Sequence, residues 1–159
     1  MATNKKLIEE VNNMTLSELR VSYYPRVRNS DRPQITHSAE AYKLFLDKWD
    51  MDSIHMIEQS YLLLLNRASR VLGIKQISMG GVSGTVLDPR VVFRYALVAG
   101  ATALMIAHNH PSGNLHPSKS DELITRKLKE IAMLHDMQLM DHLVITTEGY
   151  FSFADEGLL

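Results

Sequence analysis

The apolar residues of this chain occur in two patterns, short unbroken runs and longer stretches with helical spacing. The runs YLLLLN and ALMIA, which begin at residues 61 and 103, are short and uniformly apolar, as in strands buried inside a sheet. RVLGIKQIS follows the first run after the polar turn NRAS, so it is predicted to be the hairpin partner of that run. HLVITT and YFSF, on either side of an EG turn, predict two further strands.

Three other stretches predict helices. In AEAYKLFLDKW the apolar residues recur at helical spacing, and Ser38 ahead of it is a candidate N-cap. Asp88 and Pro89 suit the N-cap and the first turn of a helix over RVVFRYALVAG, which Gly100 is well placed to end. A third helix is predicted from Ser118 to about His135.

The order of these elements is helix, strand, strand, helix, strand, helix, strand, strand. Such an order predicts an α/β domain with a mixed β-sheet flanked by helices. The segment before Ser38 is less regular, with a short helix near Lys5–Val11 and an extended edge piece in ELRVSYYPRVR that Pro25 stops. We therefore expect an N-terminal extension over residues 1–37 and one domain over residues 38–159.

Composition narrows the classes of protein to consider. The chain has 159 residues, 45% hydrophobic and 22% charged, which is typical of a single globular domain. Its net charge of -1 gives no broad basic surface for nucleic acid, although a local basic patch is compatible with it. The N-terminus has no apolar signal core and no run approaches the roughly 18 apolar residues of a membrane span, so a cytoplasmic protein without membrane contact is expected.

The candidate chemistry lies in the loop HNHPSGNLHPSKSD, which follows the ALMIA strand. Because there is no cysteine, any metal must be bound by His, Asp, Glu and water. His108 and His110 at the end of a strand can bind one divalent ion, and Asp121 from the next helix can complete a set of three ligands with a fourth position for water. Alternatively, Ser118 and Asp121 form a capping box that only starts the helix. The two interpretations are compatible, since a carboxylate has two oxygens.

These residues carry a family resemblance. The loop matches the pattern H-x-H, seven residues, S-x-x-D of the JAMM metalloproteases, and it resembles the RadC branch of that MPN-domain superfamily. The resemblance extends over roughly residues 38–157, because Glu58 opens the first core strand, DPR at 88–90 precedes a helix and DH at 141–142 accompanies a late strand. It implies a layered JAMM/MPN fold similar to that of cytidine deaminases.

The resemblance also implies roles for individual residues. His108, His110 and Asp121 would bind zinc, Glu58 would be the general base on the metal-activated water, and Ser118 would help to stabilise the tetrahedral intermediate. From the residues alone, Glu58 is equally well explained as an exposed charge at the start of a strand. The expected function is a zinc-dependent metallohydrolase acting on a peptide or isopeptide bond of a peptide or protein substrate.

Two other functions remain open at this point. One is a DNA-repair or DNA-metabolism accessory protein that binds strands through the Arg26 to Arg32 region, and the other is a non-catalytic zinc scaffold. RadC proteins commonly have an N-terminal helix-hairpin-helix region, which residues 1–37 do not resemble, so a standalone catalytic module is expected. The sequence indicates neither the physiological substrate nor an oligomeric state.

Three further histidine and acidic positions are weaker candidates. His116 lies in the loop at a position that the pattern leaves open and is interpreted as a rim residue. Asp141 and His142 are adjacent in a strand and must point to opposite faces. One of them could orient a ligand histidine, or either could be a satisfied structural polar group.

Overall fold

A five-stranded mixed sheet forms the centre of the molecule, seen in a computed structural model that describes residues 20–81 and 86–159. Its strands are β1 (Gln59–Leu65), β2 (Val71–Met79), β3 (Ala103–Asn109), β4 (Gln138–Ile145) and β5 (Tyr150–Ser152). They lie in the order β2-β1-β3-β4-β5, in which only β3 and β4 are parallel neighbours. The predicted mixed sheet and the hairpin of its first two strands are confirmed.

Three helices cover the two faces of this sheet. They are α1 (Ser38–Lys48), α2 (Pro89–Ala99) and α3 (Lys119–Leu134). Ala41 and Phe45 of α1 pack on one face with odd-numbered residues of β1 and β3, whereas α2 and α3 pack on the other face with the even-numbered residues of those strands. Each strand interior therefore contributes apolar side chains to two cores, which explains why YLLLLN and ALMIA are apolar without alternation.

The connection from β3 to its parallel neighbour β4 brings the histidine loop and a helix start together. A parallel pair needs a crossover, and here the crossover is α3. Because α3 begins at the carboxyl end of β3 and runs back along the sheet, its first turn lies beside the last residues of that strand. The fold thus places Asp121 near His108, as the loop spacing predicts.

The helix ends follow the predicted signals with one difference. Asp88 accepts a hydrogen bond from the Arg90 N–H at 2.9 Å, and Gly100 ends α2 in the left-handed region at φ 63°. The N-cap of α1 is His37, one residue before the predicted Ser38. Ser38 is used in tertiary contacts instead, since its hydroxyl donates to Asp155 at 2.5 Å and lies 2.9 Å from the Tyr150 hydroxyl.

The segment before α1 differs from its prediction. Residues 20–25 form no strand, and Val21 and Tyr24 are 70% and 81% exposed, so the alternation there does not mark a buried face. The Tyr23 hydroxyl donates to the Leu72 carbonyl at 2.6 Å and holds the segment against β2. The helix predicted near Lys5–Val11 lies outside the described residues. In the described part of the chain, no helix combines the length and the apolar character that crossing a membrane requires.

Candidate metal centre

Three potential ligands meet where β3 ends and α3 begins. His108 lies on β3 with its side chain on the face of the sheet that α2 and α3 cover, and it is 4% exposed. His110 lies just beyond the strand, and Asp121 is in the first turn of α3. One nitrogen from each histidine and one oxygen of Asp121 all lie within 4.8 Å of one another.

The two imidazoles present their Nε2 atoms to each other and to the carboxylate. The Nε2 atoms of His108 and His110 are 3.1 Å apart. The Asp121 oxygens lie 3.4 Å from His108 Nε2 and 3.7 Å from His110 Nε2. His110 Nδ1 lies 2.6 Å from the Asn114 carbonyl, which can only accept, so Nδ1 carries a proton and Nε2 is the nitrogen that faces the other two candidate ligands.

This donor set is chemically suited to zinc. Two neutral imidazole nitrogens and one carboxylate oxygen form the three-ligand set of many catalytic zinc sites. Among the described residues, the cluster includes no fourth His, Cys, Asp or Glu. The group could therefore hold a metal ion and leave one coordination position without a protein ligand.

Asp121 and the neighbouring histidines shift each other's pKa values in opposite directions. Burial alone would raise the pKa of Asp121, but the adjacent His108 and His110 side chains and the Ser118 hydroxyl outweigh it and hold that pKa well below its ordinary value. The Asp121 carboxylate in turn raises the pKa of His110, and the negative charge of Glu58 acts in the same direction. The carboxylate is thus already ionised, as a metal ligand must be.

Glu58 faces the same site from the neighbouring strand. Its N–H donates to the Gly81 carbonyl at 3.1 Å and its carbonyl accepts from the Gly80 N–H at 2.8 Å, which continues the β1–β2 ladder by one residue. Glu58 is therefore two residues before Ser60 on one face of β1, and Ser60 is the direct cross-strand partner of His108. Glu58, Ser60, His108 and Asp121 line one cavity of 270 Å³.

Ser118 acts as the N-cap of α3 and also holds the Asp121 carboxylate, a candidate ligand. Its hydroxyl donates to Asp121 Oδ2 at 2.6 Å and accepts from the Asp121 N–H at 3.2 Å. The other carboxylate oxygen, Oδ1, is the one nearest His108. The predicted capping box is thus present and leaves one carboxylate oxygen facing His108, while the predicted roles of Asp121 as a ligand and of Ser118 in stabilising an intermediate stay predictions. His116 is exposed and lies outside the cluster.

Asp141 and His142 are adjacent in β4, and their side chains point to opposite faces of the sheet. His142 is 1% exposed and its Nε2 lies 2.8 Å from His108 Nδ1, so it is the one that contacts a candidate ligand. Asp141, on the opposite face, accepts hydrogen bonds from the Ser152 hydroxyl and from the N–H groups of Ala154 and His142. Asp141 is therefore a satisfied structural polar group.

Three residues of the site were not singled out in the sequence. Thr125, one turn after Asp121 in α3, lies with its hydroxyl 2.6 Å from His142 Nδ1. Ser60 has a buried hydroxyl in the cavity without a hydrogen-bonding partner among the described residues. Asn109, between the two histidines, is fully buried and bonds to the segment that carries Glu58. Two signals could have identified these residues: Thr125 lies four residues after Asp121 in α3, and Ser60 pairs with His108 across β1 and β3. Both signals require the helix bounds and the strand register to be known.

Comparison with known proteins agrees with this geometry. Residues 35–158 match the family model of the RadC-like JAB domain. A protein of Flavobacterium johnsoniae named UPF0758 protein is 46% identical over 101 residues, which are 64% of this chain and 44% of the relative. A UPF0758 protein of Rubrobacter xylanophilus is 35% identical over 133 residues, 83% of this chain and 56% of the relative. One of Clostridium perfringens is 34% identical over 140 residues, 86% and 60% of the two chains. The chain spans about half the length of the curated relatives it matches.

Proposed function

The chain belongs to the family of RadC-like JAB domains, and on this premise we propose that it is a zinc-dependent hydrolase of the JAMM type that cleaves a peptide or isopeptide bond. The observation that carries the proposal is that His108, His110 and Asp121 converge, and that Glu58 lines the same cavity as His108 and Asp121. A ligand set and a candidate general base on separate elements meet at one place.

The division of roles follows from the chemistry of these groups. His108, His110 and Asp121 would hold a zinc ion, which would supply Lewis-acid polarisation of the substrate carbonyl and activation of the attacking water. Glu58 takes a proton from the attacking water and delivers it to the leaving nitrogen as the carbon–nitrogen bond breaks. Asp121 is held by Ser118 while its other oxygen faces His108.

The lining of the cavity favours an amide over a phosphodiester substrate. Phosphodiester cleavage usually needs a second metal or cationic side chains to stabilise the negative charge of the transition state. None of the described residues that line the cavity is a lysine or an arginine. Hydrolysis of a neutral amide develops a single negative charge on the carbonyl oxygen, which one metal ion is enough to stabilise.

Metal content and cleavage activity test this proposal in the same set of variants. We expect about one zinc per chain in the parent protein, and loss of zinc in His108→Ala, His110→Ala and Asp121→Ala. His116→Ala is the matched control, because it removes an exposed histidine of the same loop and should keep the metal. Equal zinc in the parent and in His108→Ala would show that the ligand assignment is wrong.

Glu58→Gln separates the base from the ligands. A general base is not needed to hold the ion, so this variant should keep its zinc while its activity falls by roughly 10²–10⁴-fold. Peptides, ubiquitin-like fusions and DNA are suitable substrates for the assay. Chelator-sensitive DNA cleavage that disappears in Glu58→Gln would overturn the preference for amide hydrolysis.

The two alternative functions correspond to other outcomes of these assays. Salt-dependent DNA binding without cleavage would favour the accessory role. Arg26 and Arg28 are exposed and available for it, whereas Arg32 is 9% exposed. Zinc retention without cleavage of any substrate, together with unfolding on chelation, would favour the scaffold.

A further inference from the structure

A chain of hydrogen bonds leads away from the candidate metal centre into the protein interior. Thr125 is 1% exposed, and its hydroxyl donates to the Asp121 main-chain carbonyl at 2.5 Å. A carbonyl can only accept, so the single hydroxyl proton of Thr125 is committed to that bond. The Thr125 oxygen is then an acceptor for the next group, His142 Nδ1 at 2.6 Å. His142 therefore carries its proton on Nδ1.

His142 is a neutral imidazole in this environment. It is 1% exposed and its ring stacks on Phe153 with the ring centres 5.0 Å apart. Its two ring nitrogens bond to the Thr125 hydroxyl and to the His108 imidazole, so a positive charge on this buried ring would have no carboxylate hydrogen-bonded to it. With one proton on Nδ1, its Nε2 has a lone pair and accepts from His108 Nδ1 at 2.8 Å.

The donor-to-acceptor direction of these hydrogen bonds determines which nitrogen of His108 can bind a metal. A proton on Nδ1 leaves the lone pair on Nε2, the atom that faces His110 and Asp121. If every bond ran the opposite way, the His108 proton would lie on Nε2 and would block the ligand position. The opposite direction is excluded by the Asp121 main-chain carbonyl, the last group in this series of hydrogen bonds, because it can only accept.

We propose that Thr125 and His142 are positioning residues that hold His108 in the tautomer that binds metal through Nε2. The inference rests on the metal-binding part of the proposed function and is independent of the hydrolytic part. Three hydrogen bonds connect the ring of one ligand, His108, to the main chain of another, Asp121, so the two ligands are coupled through the interior. A neutral partner for His108 also avoids burying a second negative charge beside Asp121.

The tautomers are directly measurable. In protein labelled with ¹⁵N at histidine, long-range ¹H–¹⁵N correlations distinguish a proton on Nδ1 from one on Nε2. We expect the Nδ1–H form for both His108 and His142, in the zinc-loaded chain and after chelation. An Nε2–H form of His142 in the parent protein would overturn the inference without the need for any variant.

Thr125→Val tests the effect on metal binding, because valine has nearly the same shape and lacks the hydroxyl. His142 then loses the acceptor for its Nδ1 proton, so the Nδ1–H form of His108 no longer dominates after chelation. We expect zinc affinity, measured by competition with a chelator, to fall roughly 10–100-fold. Thr125→Ser keeps the hydroxyl and should restore both the tautomer and zinc affinity to within about threefold of the parent.

Ser152→Ala is the matched control for a lost buried hydroxyl. Its hydroxyl bonds to Asp141 on the opposite face of β4, so this variant should lose stability but keep the tautomers and the zinc affinity. The proposal would be wrong if Thr125→Val bound zinc as tightly as the parent. It would also be wrong if Ser152→Ala lost as much zinc affinity as Thr125→Val, because Thr125 would then have only a structural role. If the protein cleaved none of the substrates above, these spectra and affinities would still decide the inference by themselves.

Discussion

Ser60 and Ser152 are both buried strand serines, but their hydroxyls have different surroundings. The Ser152 hydroxyl donates to the buried Asp141 carboxylate at 2.6 Å. The Ser60 hydroxyl has no hydrogen-bonding partner within the described part of the chain, although the residue is 1% exposed. Removing a hydroxyl is costly when its partner is left unsatisfied and nearly neutral when there is none.

This difference predicts opposite effects on stability. Ser152→Ala should lower the free energy of unfolding by about 1–3 kcal/mol, because a buried carboxylate loses a donor. Ser60→Ala should leave it unchanged or raise it by up to about 1 kcal/mol. Urea denaturation of both variants and the parent provides the measurement. A loss in Ser60→Ala as large as that in Ser152→Ala would contradict the assignment of Ser60 as unpartnered.

At the scale of elements, Asn109 connects the end of β3 to the segment that leads into β1. Its Oδ1 accepts from the Gln59 N–H at 2.7 Å, and its Nδ2 donates to the carbonyls of Ile54 and Ile57 at 2.6 and 2.9 Å. These three main-chain groups flank Glu58 on both sides. The residue between the two candidate ligands therefore sets the position of the candidate base.

Asn109→Ala is expected to keep zinc and to lose activity, by about 10²-fold, because a misplaced catalytic group has a cost of that order. The loss should be much smaller when the substitution is made in a Glu58→Gln background, where the group that it positions is already inactive. Cleavage rates and zinc content of the four proteins in this double-mutant cycle are the measurement. Independent, multiplicative losses would show that Asn109 does not act through Glu58.

At the scale of the whole molecule, the two faces of the sheet have different polar features. On the face covered by α2 and α3, hydrogen bonds connect His108, His142 and Thr125. On the face covered by α1 lies the Asp141 carboxylate, which is 2% exposed. Burial raises the pKa of Asp141 above its ordinary value, against the opposing effect of its hydrogen bonds. This residue therefore links global stability to pH.

The sign of that linkage is predictable. An acid with a raised pKa in the folded state favours folding below its unfolded-state pKa of about 3.9, and this contribution is lost as pH rises through the folded-state value. The stability of the parent relative to Asp141→Asn should therefore fall from about pH 4 upward. Denaturation of both proteins across this range measures the difference. A relative gain for the parent with rising pH would contradict the raised pKa.

Local signals account for most of the elements. Apolar runs predicted the strands, and Asp88, Pro89 and Gly100 predicted both ends of α2, because capping depends on neighbouring residues only. The alternation near Val21 led to a wrong prediction of a strand, because an exposed segment that contacts β2 through the Tyr23 hydroxyl has the same local pattern as an edge strand. The cap of α1 shifted by one residue because Ser38 bonds to Asp155 at the other end of the chain.

The sequence by itself determined the fold class and the three residues that meet at the end of β3, because a strand, a short loop and a helix start bring them together locally. Only the tertiary structure decided between Asp141 and His142 and identified Thr125 and Asn109. Their bonds join residues 34, 17 and 50 positions apart, through the parallel pairing of β3 and β4, the packing of α3 and the segment before β1. No local pattern records such contacts, because they depend on strand register and on which face each side chain takes.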